Sequence, residues 1–201
     1  MSNAKPSAKP GANMTITLPI LFNNRHILPS GRLPLRVSPG EQLNTVKYAM
    51  SNGMDIGVCM DDTSPIGAGI GTRVTIEDFN VASDSGALTI TVCGHESFVI
   101  DTIKENSAGV VEAVCQTLPA WPERAVSNDA QPLAERLLIM FERYPELSSL
   151  HKKPNFDDLS WLCQRWLELL PIPASEKQVL MAAHTCSDTA EYLLSLMKEP
   201  H

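Results

Sequence analysis

The sequence lacks any apolar run approaching the roughly 20 residues that span a bilayer; its longest candidates, such as Leu137 to Phe141, sit inside amphipathic patterns. No membrane partner is therefore expected. It has no CxxC pair: the five cysteines, Cys59, Cys93, Cys115, Cys163 and Cys186, are an odd and widely spaced set, unlike a disulfide framework or a zinc knuckle. That pattern fits a reducing, cytoplasmic setting. Positive charge is scarce, with 16 Lys+Arg against 23 Asp+Glu and a net charge of -7. Such a field repels phosphate backbones, so nucleic acid is a poor partner. The first 14 residues carry two lysines but no apolar h-region, and they read as a flexible leader rather than a signal peptide.

The usual signatures of catalysis are missing as well. There is no Gly-x-Ser-x-Gly elbow, no HExxH and no Gly-Lys-Ser/Thr phosphate loop. The histidines His26, His95, His151, His184 and His201 are scattered, each fitting a surface or satisfied structural residue better than a base. Cys93 and His95 share a strand face if the segment is extended, yet two ligands do not make a zinc site. Asp61 and Asp62 are adjacent and point apart in an extended segment. The glycines of PIGAGIGTRVTI, Gly67, Gly69 and Gly71, have a phosphate-loop look, but the residues after Gly71 alternate polar and apolar as a strand does. A dinucleotide loop needs a helix N-terminus there, so these glycines are expected at a tight turn between strands.

The residues that are present divide by period. From Thr15 to about Leu118, short alternating runs predict strands at Ile16–Phe22, Arg32–Val37, Ile56–Met60, Thr72–Phe79, Ala87–Val92, Ser97–Ile103 and Val110–Thr117. Asp84, Ser85 and Gly86 mark a hairpin turn, and Gly94 a break. A helix over about 39–51 interrupts the series, with Ser38 as cap, Glu41 completing a capping box and Gly53 ending it. Leu43, Val46 and Met50 give it one apolar stripe. Met50, Met54 and Met60 either form an adaptable binding surface or fill gaps.

Beyond Pro119 the period lengthens to that of helices, with Trp121 to Asp129 as a linker. Four helices are expected. One carries Leu133, Leu137, Met140, Phe141 and Tyr144; the next, capped by Asn155, carries Phe156, Leu159, Leu162, Trp166 and Leu170. Ser175 with Gln178 caps a third, and Ser187 or Asp188 starts the last. Trp161 and Trp166, at helical spacing among apolar neighbours, read as core rather than as an aromatic peptide groove. The fold class is α+β: a β-rich closed or nearly closed unit over residues 15–122 and a small helical bundle over 123–201. The leader, β half and helical half carry net charges of +2, -5 and -4.

In order, spacing and residue type, LPILFNNRHILPSGRLPLRV, the helix after it, IGAGIGTRVTIEDF and DSGALTITVCGHESFVI resemble the N-terminal domain of Lon proteases. Leu18-Pro19, Pro29-Ser30-Gly31 and Leu33-Pro34-Leu35-Arg36 carry the likeness, and ELLPIPASEKQVLMAA is similar to the family's helical portion. Where that family has Phe-Glu-Pro-Arg-Tyr, this chain reads Ser38-Pro39-Gly40-Glu41-Gln42.

The resemblance implies a PUA-like pseudo-barrel with one covering helix, followed by a helical bundle. It also implies a non-catalytic module that binds polypeptide or unfolded segments, an adaptor or regulator in protein quality control that could work with an ATP-dependent protease. These residues contain no Walker motif and no Ser-Lys peptidase domain, so no ATPase or protease activity is expected and no cofactor. The rival reading is a small-molecule pocket or enzyme at the barrel mouth using His26, His95 or the Asp61–Asp62 pair. No catalytic, cofactor-binding or metal-ligating residue is assigned, and the peptide-contacting residues and oligomeric state stay open.

Overall fold

The computed structural model describes residues 14–60, 69–81 and 87–198. Six strands, β1 (Thr15–Asn23), β2 (Arg32–Val37), β3 (Ile56–Met60), β4 (Ile70–Val81), β5 (Leu88–Glu105) and β6 (Val111–Thr117), form one sheet in the order β2-β5-β4-β3-β1-β6. β5 also pairs with β6, so the order returns on itself and the sheet curls into a pseudo-barrel with β2 outside the ring. All pairings are antiparallel except that of β1 with β3, which runs from Ile20 opposite Gly57 to Asn23 opposite Met60. A parallel pair needs a long crossover, here supplied by β2 and the helix α1 (Glu41–Ser51).

β5 runs unbroken for 18 residues, where two strands parted at Gly94 were expected. It has three neighbours in succession: β2 and β4 along its first half, β4 and then β6 along its second. Register shifts between Gly94 and Ser97, opposite Val74 and Thr72, and between Ile100 and Thr102 let it bend without ending. Gly71 also departs from expectation, since it lies within β4 and not at a turn. A Cβ there would sit 2.5 Å from Cys59 Sγ and 2.6 Å from Phe98 Cζ; the missing side chain makes room for the fully buried Phe98 ring. Gly67, the Asp61–Asp62 pair and the Asp84–Ser85–Gly86 turn lie outside the described residues.

α1 begins two residues later than expected. Gly40 precedes it with φ of 96°, and no side chain caps its first turn. Gln42 takes the reciprocal part instead, its Oε1 accepting from the Ser38 N–H at 2.8 Å, so Ser38 and Glu41 do not form the capping box. Its other end is as expected: Met54 N–H donates to Ala49 O and Gly53 N–H to Met50 O, the paired closure of a left-handed C-terminus. The apolar stripe is turned by one residue, with Val46 and Ala49 buried and Met50 exposed. Met54 packs on the same core and Met60 is buried.

Next come five helices: α2 (Gln131–Arg143), α3 (Pro145–Leu150), α4 (Leu159–Leu169), α5 (Ala174–Met181) and α6 (Ser187–Lys198). The one not expected is α3, because Pro145 starts a new helix at its first position as well as ending the previous one. α4 is capped by Asp158, whose carboxylate accepts from the Ser160 and Trp161 N–H groups, and not by Asn155. α5 has no side-chain cap from Ser175; α6 starts at Ser187 as expected. Leu133, Leu137, Phe141, Leu162, Trp166 and Leu193 build the helical core. Trp166 Nε1 donates to Leu133 O, and Trp161 meets Phe141 and Phe156 edge to face, so both tryptophans are core.

The β and helical halves share a further cluster in which Leu28 and Ile70 pack with Leu167, Ile172 and Met181. Trp121 joins it and donates its Nε1–H to Ala183 O at 2.7 Å, so the segment read as a linker is anchored along the helices. Among the described residues no helix is long and apolar enough to cross a membrane.

Candidate functional site

The loop between β1 and β2, His26 to Gly31, is the meeting point of the two halves. Ile27 and Leu28 are buried in it because apolar side chains there face two layers at once. On one side Ser30 N–H donates to Gly94 O and Gly94 N–H to Gly31 O, which fastens the loop to the middle of β5. On the other side stands α4. Glu168 Oε1 accepts from the Leu28 N–H at 2.7 Å and from Arg165 Nη2 at 3.1 Å, and Nη2 also donates to Pro29 O. Arg165 Nε lies 2.9 Å from Glu168 Oε2 but out of line for a hydrogen bond, so that contact is an ion pair only. A Cβ on Gly31 would stand 2.1 Å from Glu168 Oε1, which explains why this turn ends in glycine.

Beside this clamp a small cavity of about 30 Å³ opens between β2, α3 and α4. Arg25, His26, Arg32, His151, Arg165 and Glu168 bring its polar groups, and Leu33, Phe141, Leu147 and Leu150 its apolar wall. Burial, with Lys177 adding to it, lowers His26 to about 4. Burial, then Arg165 and Arg32, lowers His151 to about 4 as well. Both imidazoles are neutral at pH 7. Burial raises Glu168 to about 7 even though Arg165 opposes the shift, and the same burial lowers Arg165.

A wider groove of about 420 Å³ lies along β2, and Arg25 borders both it and the cavity. It runs between Asn23–Arg25 at the end of β1 and Pro34–Ser38, and ends at Gln42. Gln42 in turn borders a cleft of about 240 Å³ that also holds Glu41 and Glu105. The groove contains Arg25 and Arg36 with no acidic residue, whereas the cleft beyond Gln42 contains two acids and no base. β2 is the one described strand that pairs with a single neighbour, so its other edge carries no strand, and its residues Pro34, Leu35 and Arg36 line the groove. Pro34 removes one donor from the strand, a substitution that an edge accepts and that limits uncontrolled pairing.

The candidates named from sequence do not gather. His26 lines the cavity, while His95 Nε2 is hydrogen-bonded to Thr75 Oγ1 at 2.9 Å and borders none of these cavities. Cys93 is half-buried, its thiol raised by burial, and among the described residues no group of three His, Cys, Asp or Glu could hold a metal ion. Asp61, Asp62 and His201 lie outside the described residues, and His184 is exposed. Sequence pattern does not single out Arg25, Arg36, Arg165 or Glu168. A signal for the last two exists: they are the only charged residues, three apart, on a helix whose other residues are apolar except Ser160 and Gln164. Exposed apolar residues elsewhere, Phe79 and Val81 on β4 and Leu138 and Ile139 on α2, occupy separate positions.

Comparison with known proteins agrees with this architecture. Residues 17–199 match the family model described as the ATP-dependent protease La (LON) substrate-binding domain. Among solved structures, the Lon N-terminal domain protein from Xanthomonas campestris superposes with a TM-score of 0.68 at 25% identity, covering 92% of this chain and 99% of that one. The N-terminal domain of the Mycobacterium avium complex Lon protease gives 0.64 at 14% identity, covering 92% and 100%, and supports the fold alone. No curated protein matches.

Proposed function

The chain belongs to the family of ATP-dependent protease La (LON) substrate-binding domains, and from that premise we propose that it recognises polypeptide without cutting it, holding an extended segment in the groove along β2. The observation that carries this reading is the unpaired edge of β2 beside a groove that can take a chain lengthwise. An extended segment needs such an edge or trough, because its own backbone groups must find partners once water is displaced.

The lining narrows the class of client. A hydrophobic segment would want an apolar trough, whereas Asn23, Asn24, Arg25, Arg36, Ser38 and Gln42 present polar and positive groups. Clients with acidic residues facing Arg25 and Arg36 fit better, and the acids Glu41 and Glu105 would repel them from the far end, fixing direction. A role as adaptor or regulator of an ATP-dependent protease is the natural use of such a module. The five free thiols, four of them buried, suit a reducing cytoplasm.

The test is fluorescence anisotropy with a labelled unfolded acidic polypeptide and the protein at low salt. Parent protein should bind, and Arg36→Glu should weaken binding by about tenfold, the scale of a lost charge contact turned repulsive. Failure of parent protein to bind any unfolded chain above background would remove the reading.

A further inference from the structure

We propose that the cavity between β2, α3 and α4 is a carboxylate-binding site, receiving the carboxylate of a polypeptide that lies along β2. The proposal rests on the polypeptide reading for its occupant but on separate atoms for its chemistry. Arg165 is 1% exposed and His26 3%. Arg165 Nη1 and both ring nitrogens of His26 have no hydrogen-bond partner, although both residues line the same cavity. Buried donors are almost always satisfied in folded proteins, so this cavity is built around an acceptor that the chain itself does not provide. Glu168 cannot serve, since its oxygens already face Arg165 Nε, Arg165 Nη2 and the Leu28 amide.

Size and charge narrow the acceptor to one class. A cavity of about 30 Å³ has room for about two water-sized groups, which is the bulk of a carboxylate's two oxygens and too little for a phosphate ester. Three arginines, Arg25, Arg32 and Arg165, face it against the single carboxylate of Glu168. Arg32 is occupied by Glu77, so Arg25 and the free amino group of Arg165 remain for an incoming anion. The neutral His26 adds a donor on one ring nitrogen. Leu33, Phe141, Leu147 and Leu150 form an apolar wall for the carbon chain behind the carboxylate. Arg25 borders both cavity and groove, which places the site at the end of the path along β2.

The test uses the full chain, three labelled hexapeptides and sodium acetate. One peptide ends in two leucines with a free carboxylate, the second is its C-terminal amide, and the third is an amide with aspartate in the last position. The free acid should bind about tenfold more tightly than its amide, as expected for a charge-assisted contact. Arg25→Ala, at an exposed position that leaves the fold intact, should remove most of that difference. Acetate alone should shift the His26 ring resonances. Equal binding of the aspartyl amide and the free acid would assign the carboxylate to a side chain; weak binding of the aspartyl amide would assign it to a chain terminus. Either supports the site. Equal binding of acid and amide leucine peptides, with Arg36→Glu weakening both, would overturn the carboxylate site while the groove reading stands. An acetate-induced His26 shift with no peptide binding would keep the site and remove the polypeptide as its occupant. No His26 response to acetate would mean that the cavity holds water only, and the proposal would fall.

Discussion

Replacing Glu168 by alanine should be among the most damaging single changes in the chain. Its carboxylate accepts from the Leu28 amide at 2.7 Å and Arg165 Nη2 at 3.1 Å and pairs with Nε at 2.9 Å. Glu168→Ala leaves a guanidinium that is 1% exposed with the Pro29 carbonyl as its remaining acceptor, and orphans the Leu28 N–H. Breaking a buried ion pair from one side costs about 3–5 kcal/mol. For a chain of this size each kcal/mol lowers Tm by about 2–4 °C, so a drop on the order of 6–20 °C is expected. The assay is thermal and urea unfolding at pH 8, where a carboxylate raised to about 7 is ionised. The double variant Arg165→Met with Glu168→Leu should recover most of the loss, because an apolar pair of similar volume removes both charges from the interior. A single variant within about 1 kcal/mol of parent, or a double variant as unstable as the single, would refute the clamp.

His26 and His151 are held near 4, below the 6.5 of an unfolded histidine, so the unfolded chain gains protons first and stability is lost as pH falls from about 6.5 toward 4, by about 3 kcal/mol per histidine. Glu168, raised from 4.5 to about 7, acts in the opposite sense: the stability it contributes at low pH is lost as pH rises through that interval. His151→Phe, which keeps a ring against Phe141 and Trp161, should flatten the acid limb of a pH–stability curve measured by urea melts. Gly71→Ala drives a methyl into Phe98, Cys59 and the Val58 carbonyl and should destabilise by about 1–3 kcal/mol or more, with partial rescue by Phe98→Leu; an unchanged melting point would mean that β4 yields freely. Asp158→Ala removes the cap of α4 and should cost about 1 kcal/mol by chemical denaturation.

Much of the fold is legible in the sequence because it depends on local rules. Arg-Leu-Pro-Leu-Arg-Val alternates, and β2 complies with Leu33, Leu35 and Val37 inward. The apolar spacing of α2, α4 and α6 likewise survives into a packed core. Misreadings arise where a residue's partner is distant in sequence. Gly94 looks like a break because its use as an anchor for the loop at Ser30 and Gly31 is a tertiary fact. Gly71 looks like a turn because the Phe98 ring that needs its space lies on another strand. At α1 the Ser38 amide is taken by Gln42 and not by the isosteric Glu41, a choice set by where the helix starts at Glu41.

The site is less legible than the fold. No local motif announces the groove, since Arg25 and Arg36 stand on consecutive segments, the end of β1 and β2, that do not pair with each other. Arg165 and Glu168 share a turn of α4, but their target, the Leu28–Pro29 backbone, is more than 130 residues away. Net charge misleads in one respect. A protein at -7 still gathers Arg25, Arg32 and Arg36 around one strand, and local field rather than total charge decides what that strand can meet.

Backbone amide NMR of the full chain, recorded with and without an unfolded acidic polypeptide, tests the central claim most directly. Shifts should concentrate at 23–25, 32–38 and Gln42, and Arg36→Glu should abolish them. Shifts centred instead on Phe79 and Val81 or on Leu138 and Ile139, untouched by that substitution, would contradict recognition along β2.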